Sequence, residues 1–128
     1  MKFASAEHQG FFEDTMKHIK ELWGKDDTYH QAFFYLMGLT DETRRHIREL
    51  FAFDNDSVNP EALDAAWQTG STVRLCRLAF NLWNGYVEEE EGEEFSPYDL
   101  FACSLAPYFV VALRLRFPEY FAEGGFLC

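Results

Sequence analysis

The chain has 128 residues, of which 48% are hydrophobic and 18% aromatic, and this composition excludes an intrinsically disordered chain. Its 22 acidic and 11 basic residues give a formal net charge of −11, which disfavours general nucleic-acid binding and attachment to anionic membrane surfaces. The length suits one domain, and we expect a single helical domain over residues 1–128.

Apolar residues follow a helical spacing along most of the chain. A first helix is predicted over about residues 5–23, and Gly24 is a plausible stop because glycine adopts the left-handed conformation at helix ends. A second helix, capped by Asp26 or Asp27, is predicted to end at Gly38.

The middle of the chain predicts two further helices. Thr40 is expected to cap a third helix whose buried stripe extends to Phe51. Residues 59–61 (Asn-Pro-Glu) combine a cap, a proline at the first position and an acid, and they predict a fourth helix that contains Trp67 and ends near Gly70. No strand-like alternation of useful length appears in the chain.

The remaining helices flank a glutamate-rich segment. Ser71 is expected to cap a fifth helix, and Ser96 with Pro97 a sixth, while Pro107 is expected to kink or split the last helical region. The residues between them, 87–95, are predicted to form a mobile acidic loop. The fold prediction is therefore all-α: a compact bundle of five to seven helices around a central apolar helix at about residues 71–84.

This fifth helix is apolar on most of its circumference and carries one narrow polar stripe with Arg74 and Arg77. Residues 65–87 hold these two arginines and no acid, so they form the only positive segment of the chain. A buried guanidinium group must be paired. One interpretation is internal ion pairing, for instance with Asp99, Glu61 or Asp64.

The other interpretation is a small anion pocket, which would take a nucleotide or a phosphorylated metabolite. Amides at the start of the helix and the two guanidinium groups would bind the anion, and a tryptophan could stack on a planar ring. The candidate ligand-binding residues are Ser71, Arg74, Arg77, Asn81, Trp67 and Trp83.

Metal and catalytic patterns are weak. Acids lie at helical spacing around His18 and around His46, but arginines surround His46 and no H-E-x-x-H motif exists. No nucleophile motif is present, so we predict no catalytic residues, no metal ligands and no cofactor. A metal-dependent enzyme using His18 or His46 stays the most distant alternative.

Location and self-association are inferred from the cysteines and the apolar residues. The three cysteines are widely spaced and form no C-x-x-C pair, which suits a reducing compartment, and no secretory signal opens the chain. We therefore expect a cytoplasmic protein without membrane spans. Aromatic residues over 108–121 are expected to join the core, with a homodimer seam as the alternative.

Several segments resemble a family of short uncharacterised bacterial proteins, grouped as a domain of unknown function. The resemblance is carried by residues 67–70 (WQTG), 77–86 (RLAFNLWNGY), 35–40 (YLMGLT) and 97–102 (PYDLFA), together with Arg74. It covers most of the chain and implies an origin in bacteria or a mobile element, but it implies no activity and no functional residues.

The leading functional hypothesis is a non-enzymatic acidic protein that binds a basic protein partner. It would act on that partner as an inhibitor or accessory protein. The alternative hypothesis is the small-molecule module of the anion pocket. The partner-binding residues would be the glutamates of the acidic run: Glu88, Glu89, Glu90, Glu91, Glu93 and Glu94.

Overall fold

The computed structural model of the protein describes residues 1–87 and 96–121. Within these ranges the chain forms seven α-helices, two short 3₁₀ helices and one small antiparallel sheet. The α-helices are α1 (Ala6–Trp23), α2 (Thr28–Met37), α3 (Asp41–Arg45), α4 (Ile47–Leu50), α5 (Gly70–Asn84), α6 (Pro97–Leu100) and α7 (Ala106–Arg116). The strands are β1 (Phe51–Ala52) and β2 (Ser57–Val58), and the 3₁₀ helices span Pro60–Asp64 and Pro118–Tyr120.

The boundaries of the first two helices follow local signals. The hydroxyl of Ser5 accepts a hydrogen bond from the amide of His8, and the carboxylate of Asp27 accepts one from the amide of His30. Gly24 ends α1 in the left-handed conformation, with φ of 66°. The predicted start and end of both helices are confirmed.

The predicted third helix is wrong beyond its first turns. Thr40 caps α3 as expected, but the helix breaks at His46, where φ is −103° and ψ is 22°, and resumes only as the short α4. Phe51 is extended and begins β1, which pairs with β2 in the register Phe51 with Val58. Tertiary pairing therefore overrides the helical spacing here.

The predicted fourth helix is shorter than expected and of another type. It is a 3₁₀ helix that ends at Asp64, so Trp67 lies outside it. The cap of α5 is Thr69 rather than Ser71, because Thr69 and Thr72 bond each other's backbone amides in a capping box.

Helix α2 occupies the centre of the molecule. It packs against α5, α7 and α1, and seven of its residues are buried. Phe33 and Phe34 of α2 pack against Phe51, and Phe33 also stacks near Phe80 of α5. Helix α5 packs on this aromatic centre along its apolar side. The mostly helical, compact fold is as predicted, but the central helix is α2 and not the expected apolar helix at residues 71–84, because α2 is the helix that packs against α1, α5 and α7.

The last helical region is split as Pro107 predicts. Helix α6 ends at Leu100, and Pro107 lies in the first turn of α7, where its missing amide costs no helical hydrogen bond. Phe109 is fully buried, whereas Tyr120 and Phe121 are exposed. Core packing therefore accounts for only part of the aromatic stretch 108–121.

The structure describes two of the three cysteines, Cys76 and Cys103. Cys76 is buried and free, and burial raises the pKa of its thiol to about 12, so it behaves as a small core residue. Cys103 is free and half-buried. In residues 1–87 and 96–121, no helix combines the length and the apolarity that a membrane span needs.

Candidate functional site

An open cavity of about 430 Å³ lies at the start of α5. It is lined by both arginines that the sequence singled out, which lie three residues apart on one face of α5. Asp99 reaches the same cavity from α6. The lining residues are Thr69, Gly70, Val73, Arg74, Arg77 and Asp99.

The first turn of α5 presents backbone amides beside this cavity. The capping box uses the amides of Thr69 and Thr72, and the Thr72 hydroxyl donates a further hydrogen bond to the Gln68 side chain at 2.6 Å. Among the described hydrogen bonds, the amides of Gly70 and Ser71 donate none. The helix dipole places partial positive charge at this end.

Arg74 is held in place by backbone groups. Its Nε donates to the carbonyl oxygen of Asp99 at 3.1 Å, and one terminal nitrogen lies 3.5 Å from the carbonyl oxygen of Gly70. The Asp99 carboxylate accepts a hydrogen bond from the Ser96 hydroxyl at 2.8 Å. In the described ranges no carboxylate forms an ion pair with Arg74, so internal pairing with Asp99, Glu61 or Asp64 is not its arrangement.

The other residues of the predicted pocket lie elsewhere, except for Ser71, which is exposed on the first turn of α5. Trp67 stacks on His46 with ring centroids 4.4 Å apart. Trp83 packs at the far end of α5 against the ring of His30. Asn81 donates to the carbonyl oxygen of Tyr86. The structure therefore brings no tryptophan into the lining of the arginine cavity.

The predicted partner-binding residues Glu88, Glu89, Glu90, Glu91, Glu93 and Glu94 lie outside the described residues, as does Cys128.

A buried charge network was missed by the sequence analysis. The Nε2 atom of His30 lies 2.7 Å from a carboxylate oxygen of Asp56, and its Nδ1 atom lies 2.9 Å from the carboxylate of Asp27. Lys25 bonds the second oxygen of Asp56 at 2.8 Å. The side chains of His30 and Asp56 are only 3% and 8% exposed. A buried carboxylate such as that of Asp56 requires hydrogen bonds of good geometry to offset its desolvation.

The two carboxylates of this network titrate abnormally. Burial works to raise the pKa of Asp56, but the hydrogen bonds from His30 and Lys25 outweigh it and lower that pKa below its usual value. Burial also opposes ionisation of Asp27, and the bonds from the amide and ring of His30 lower its pKa. The contact between Asp27 and His30 spans three residues and was a local signal in the sequence. The contact between His30 and Asp56 spans 26 residues and had no local signal.

The network acts as a clamp between two segments of the chain. Both ring nitrogens of His30 are bonded to carboxylates, one from the start of α2 and one from the β1–β2 segment. Asp56 lies between β1 and β2, and Trp23 donates to the carbonyl oxygen of Phe53 in the same segment. The clamp therefore ties the β1–β2 hairpin to the start of α2.

The two histidines considered as metal ligands have different surroundings. His46 bonds Glu49 at 2.5 Å, and the same carboxylate accepts from the indole of Trp67 at 3.2 Å. His18 is exposed and lines a cavity of about 290 Å³ with Asp14 and Arg48. In the described part of the chain, no three His, Cys, Asp or Glu side chains are grouped as metal ligands would be.

A buried histidine makes a second cluster that the sequence analysis did not single out. The Nδ1 of His8 accepts from the amide of Ala4, and its Nε2 donates to the carbonyl oxygen of Tyr35 at 2.8 Å, which describes a neutral ring. Burial lowers the pKa of His8, and the Arg44 charge adds to this effect. The cluster joins α1 to α2.

Comparison with known proteins gives one match. Residues 1–126 match the family described as a family of unknown function, DUF6075. The chain belongs to this family. No curated protein matches the chain, and no solved structure matches it. The resemblance seen in the sequence is thus confirmed at the level of an uncharacterised domain, and membership assigns no chemistry to any residue of the DUF6075 chain.

Proposed function

We propose that this DUF6075 protein is a non-enzymatic binding protein whose ligand site is the arginine cavity at the start of α5. The ligand is a small anion that bears a phosphate group. The observation that carries the proposal is the presence of both Arg74 and Arg77 in the lining of one cavity, next to the first turn of a fifteen-residue helix.

The chemistry of the lining supports a phosphorylated ligand. Guanidinium groups form charge-assisted hydrogen bonds with phosphate oxygens, and amides at a helix N-terminus add further donors. The carbonyl of Asp99 orients Arg74 through Nε, and one terminal nitrogen lies 3.5 Å from the carbonyl oxygen of Gly70, which leaves the other terminal nitrogen for the ligand. The Asp99 carboxylate accepts only one described side-chain bond and retains acceptor capacity for a ligand hydroxyl.

The proposal is tested by calorimetric titration with inorganic phosphate, a sugar phosphate and a nucleoside diphosphate. The Arg74→Ala variant is expected to bind the preferred compound at least roughly tenfold more weakly, because it loses a charged donor. Arg77→Ala provides a second variant that leaves the Arg74–Asp99 bond in place. Arg45→Ala is the control, since Arg45 is exposed on α3 and makes the same change in charge.

Equal affinity in Arg74→Ala, Arg77→Ala and the control would contradict the proposal, as would the absence of binding by all three compounds. Urea unfolding of each variant is measured in parallel, so that a folding defect is not mistaken for a lost site.

A basic protein partner is the second candidate function. It is favoured by the net charge of −11 and by the six glutamates within residues 88–94. Such a field attracts basic surfaces and accelerates their association at low salt. An acidic protein of this kind would act by covering the basic surface of its partner.

Matched charge variants test this second candidate. The triple variant Glu88→Gln, Glu90→Gln, Glu93→Gln is compared with a control that neutralises three exposed glutamates of α1, Glu7, Glu13 and Glu21. A basic protein captured from the source cell at low salt should be retained by the control and lost from the first variant. Equal retention by both would exclude the acidic run as the binding surface.

A further inference from the structure

The outer side of α7 carries an apolar stripe at the surface. Pro107, Val110 and Arg114 are exposed, and Val111 and Leu115 are half-buried beside them. With Met1 and Lys2 they line an open depression of about 670 Å³, which we name the α7 groove.

The groove lies on a second apolar side of α7, whose first apolar side is buried against the rest of the protein. Phe109 and Ala112 of α7 are fully buried, and α7 packs against α2 on that side. The apolar groove residues of α7 are Pro107, Val110, Val111 and Leu115, at the spacing i, i+3, i+4 and i+8, which is the spacing of a helix face that packs against another helix. Arg114, at i+7, borders this face with its charged end. The stripe spans about two helical turns, or roughly 12 Å.

The rim of the groove is positive in a protein of net charge −11. Lys2 and Arg114 flank the apolar residues. Lys2 lies over the ring of Tyr108 and Arg114 over that of Phe121, and neither forms an ion pair in the described ranges. Helix α7 itself contains no acidic residue. The complementary surface is therefore apolar with flanking carboxylates.

This charge pattern argues against two other occupants. A second copy of the chain packed on the same face would place the Lys2 and Arg114 side chains of both copies close together without acids on either α7. An anionic membrane would be repelled by the rest of the protein, whose charge is strongly negative.

We infer that the α7 groove docks an amphipathic helix of another protein, with an apolar stripe bordered by Asp or Glu. The apolar stripe of the partner contacts Val110 and Val111, and its carboxylates face Lys2 and Arg114. This surface uses none of the residues of the arginine cavity, so the two inferences stand or fall separately.

Two synthetic helical peptides test the inference. They share one apolar stripe of leucines, and they differ only in the flanking positions, which are Glu in one peptide and Lys in the other. The net charge of the protein predicts that the Lys peptide binds, whereas the rim of the groove predicts the Glu peptide. We expect fluorescence anisotropy to show tighter binding of the Glu peptide.

Charge reversal locates the contact. Arg114→Glu should weaken the Glu peptide about tenfold and improve the Lys peptide, because one rim attraction becomes a repulsion. Arg45→Glu makes the same charge change on α3 and should leave the preference for the Glu peptide unchanged. Val110→Asp should weaken both peptides, since it places a carboxylate in the apolar stripe.

Four outcomes would overturn the inference. They are tighter binding of the Lys peptide to the unmodified protein, no binding of either peptide, and an Arg114→Glu variant that behaves like Arg45→Glu. The fourth is a different occupant of the groove. A second copy of the chain would be shown by a dimer in sedimentation experiments that Val110→Asp dissociates. A membrane would be shown by binding to vesicles of phosphatidylglycerol and phosphatidylcholine that Val110→Asp abolishes.

Discussion

Asp56 shows how much a single residue contributes that its neighbours in the sequence do not indicate. Its backbone is in the left-handed region, with φ of 54°, which aspartate tolerates better than most residues. This conformation accompanies a carboxylate that meets both His30 and Lys25. The sequence offered Asp26 or Asp27 as the cap of α2, but the contact of His30 with Asp56 depends on how the hairpin packs, so local reasoning could not find it.

At this scale we predict that Asp56→Asn lowers the free energy of unfolding by about 1–3 kcal/mol at neutral pH. The substitution keeps the shape and tolerates the positive φ, but it removes the charge that His30 and Lys25 face. Asp54→Asn is the control, because Asp54 is exposed in the same turn. Urea unfolding followed by circular dichroism measures both, and equal losses would contradict the role of the network.

The pKa of Asp56 also gives the pH dependence a sign. Because this pKa is lower in the folded protein than the usual 3.8, the unfolded state binds a proton first as the pH falls. The stabilisation is complete above about pH 4 and is lost as the pH falls through the folded-state pKa. The difference between the protein and Asp56→Asn should therefore shrink below about pH 4.

Between elements, a close approach lies where α1 crosses the end of α2. A Cβ atom built on Gly38 would lie 2.8 Å from Cδ2 of His8 and 2.9 Å from Cδ1 of Phe11. The φ of Gly38 is −80°, so the glycine is needed for space rather than for backbone conformation. From the sequence, Gly38 was interpreted only as a helix end, because His8, the neighbour that requires a glycine there, is 30 residues away.

We predict that Gly38→Ala destabilises the protein by about 1–3 kcal/mol, because the added methyl group overpacks the crossing. Gly10→Ala is a matched control inside α1, where an added Cβ meets nothing within 4 Å. That substitution should stabilise the protein by roughly 0.5–1 kcal/mol, since alanine favours a helix over glycine. Urea unfolding of both variants is the measurement, and a shift of the same sign in both would contradict the steric argument.

Element prediction succeeded where caps and prolines decided the outcome and failed where tertiary pairing did. Asp27, Thr40 and Ser96 cap helices as their sequence context indicated, and Ser5 caps α1 at its predicted start. Phe51 was assigned to a helix but pairs with Val58 and packs on Phe34, and these contacts lie outside any local window. The capping box of Thr69 and Thr72 was missed for another reason: its signal is local, but Ser71 was taken as the cap.

Across the whole molecule, charge and apolar surface are unevenly placed. The chain carries twice as many acids as bases, yet cations line both the arginine cavity and the α7 groove. The long-range field is screened beyond about 10 Å at moderate salt, so these local reversals of sign would act only on a ligand or partner already in contact. On the two proposals made above, the acidic field and the two positive depressions would favour different partners at different distances.

The amino-acid sequence by itself determined the helical class, most helix ends, the split at Pro107 and the sign of the overall field. These properties follow from composition and from interactions across three or four residues, which are visible in any short window. Tertiary structure decided that Arg74 and Arg77 share a cavity with Asp99. It also decided that the two candidate tryptophans, Trp67 and Trp83, lie outside that cavity, and that His30 bonds the carboxylate of Asp56. Such contacts join segments far apart in the chain, and only the packing of the helices brings them within bonding distance.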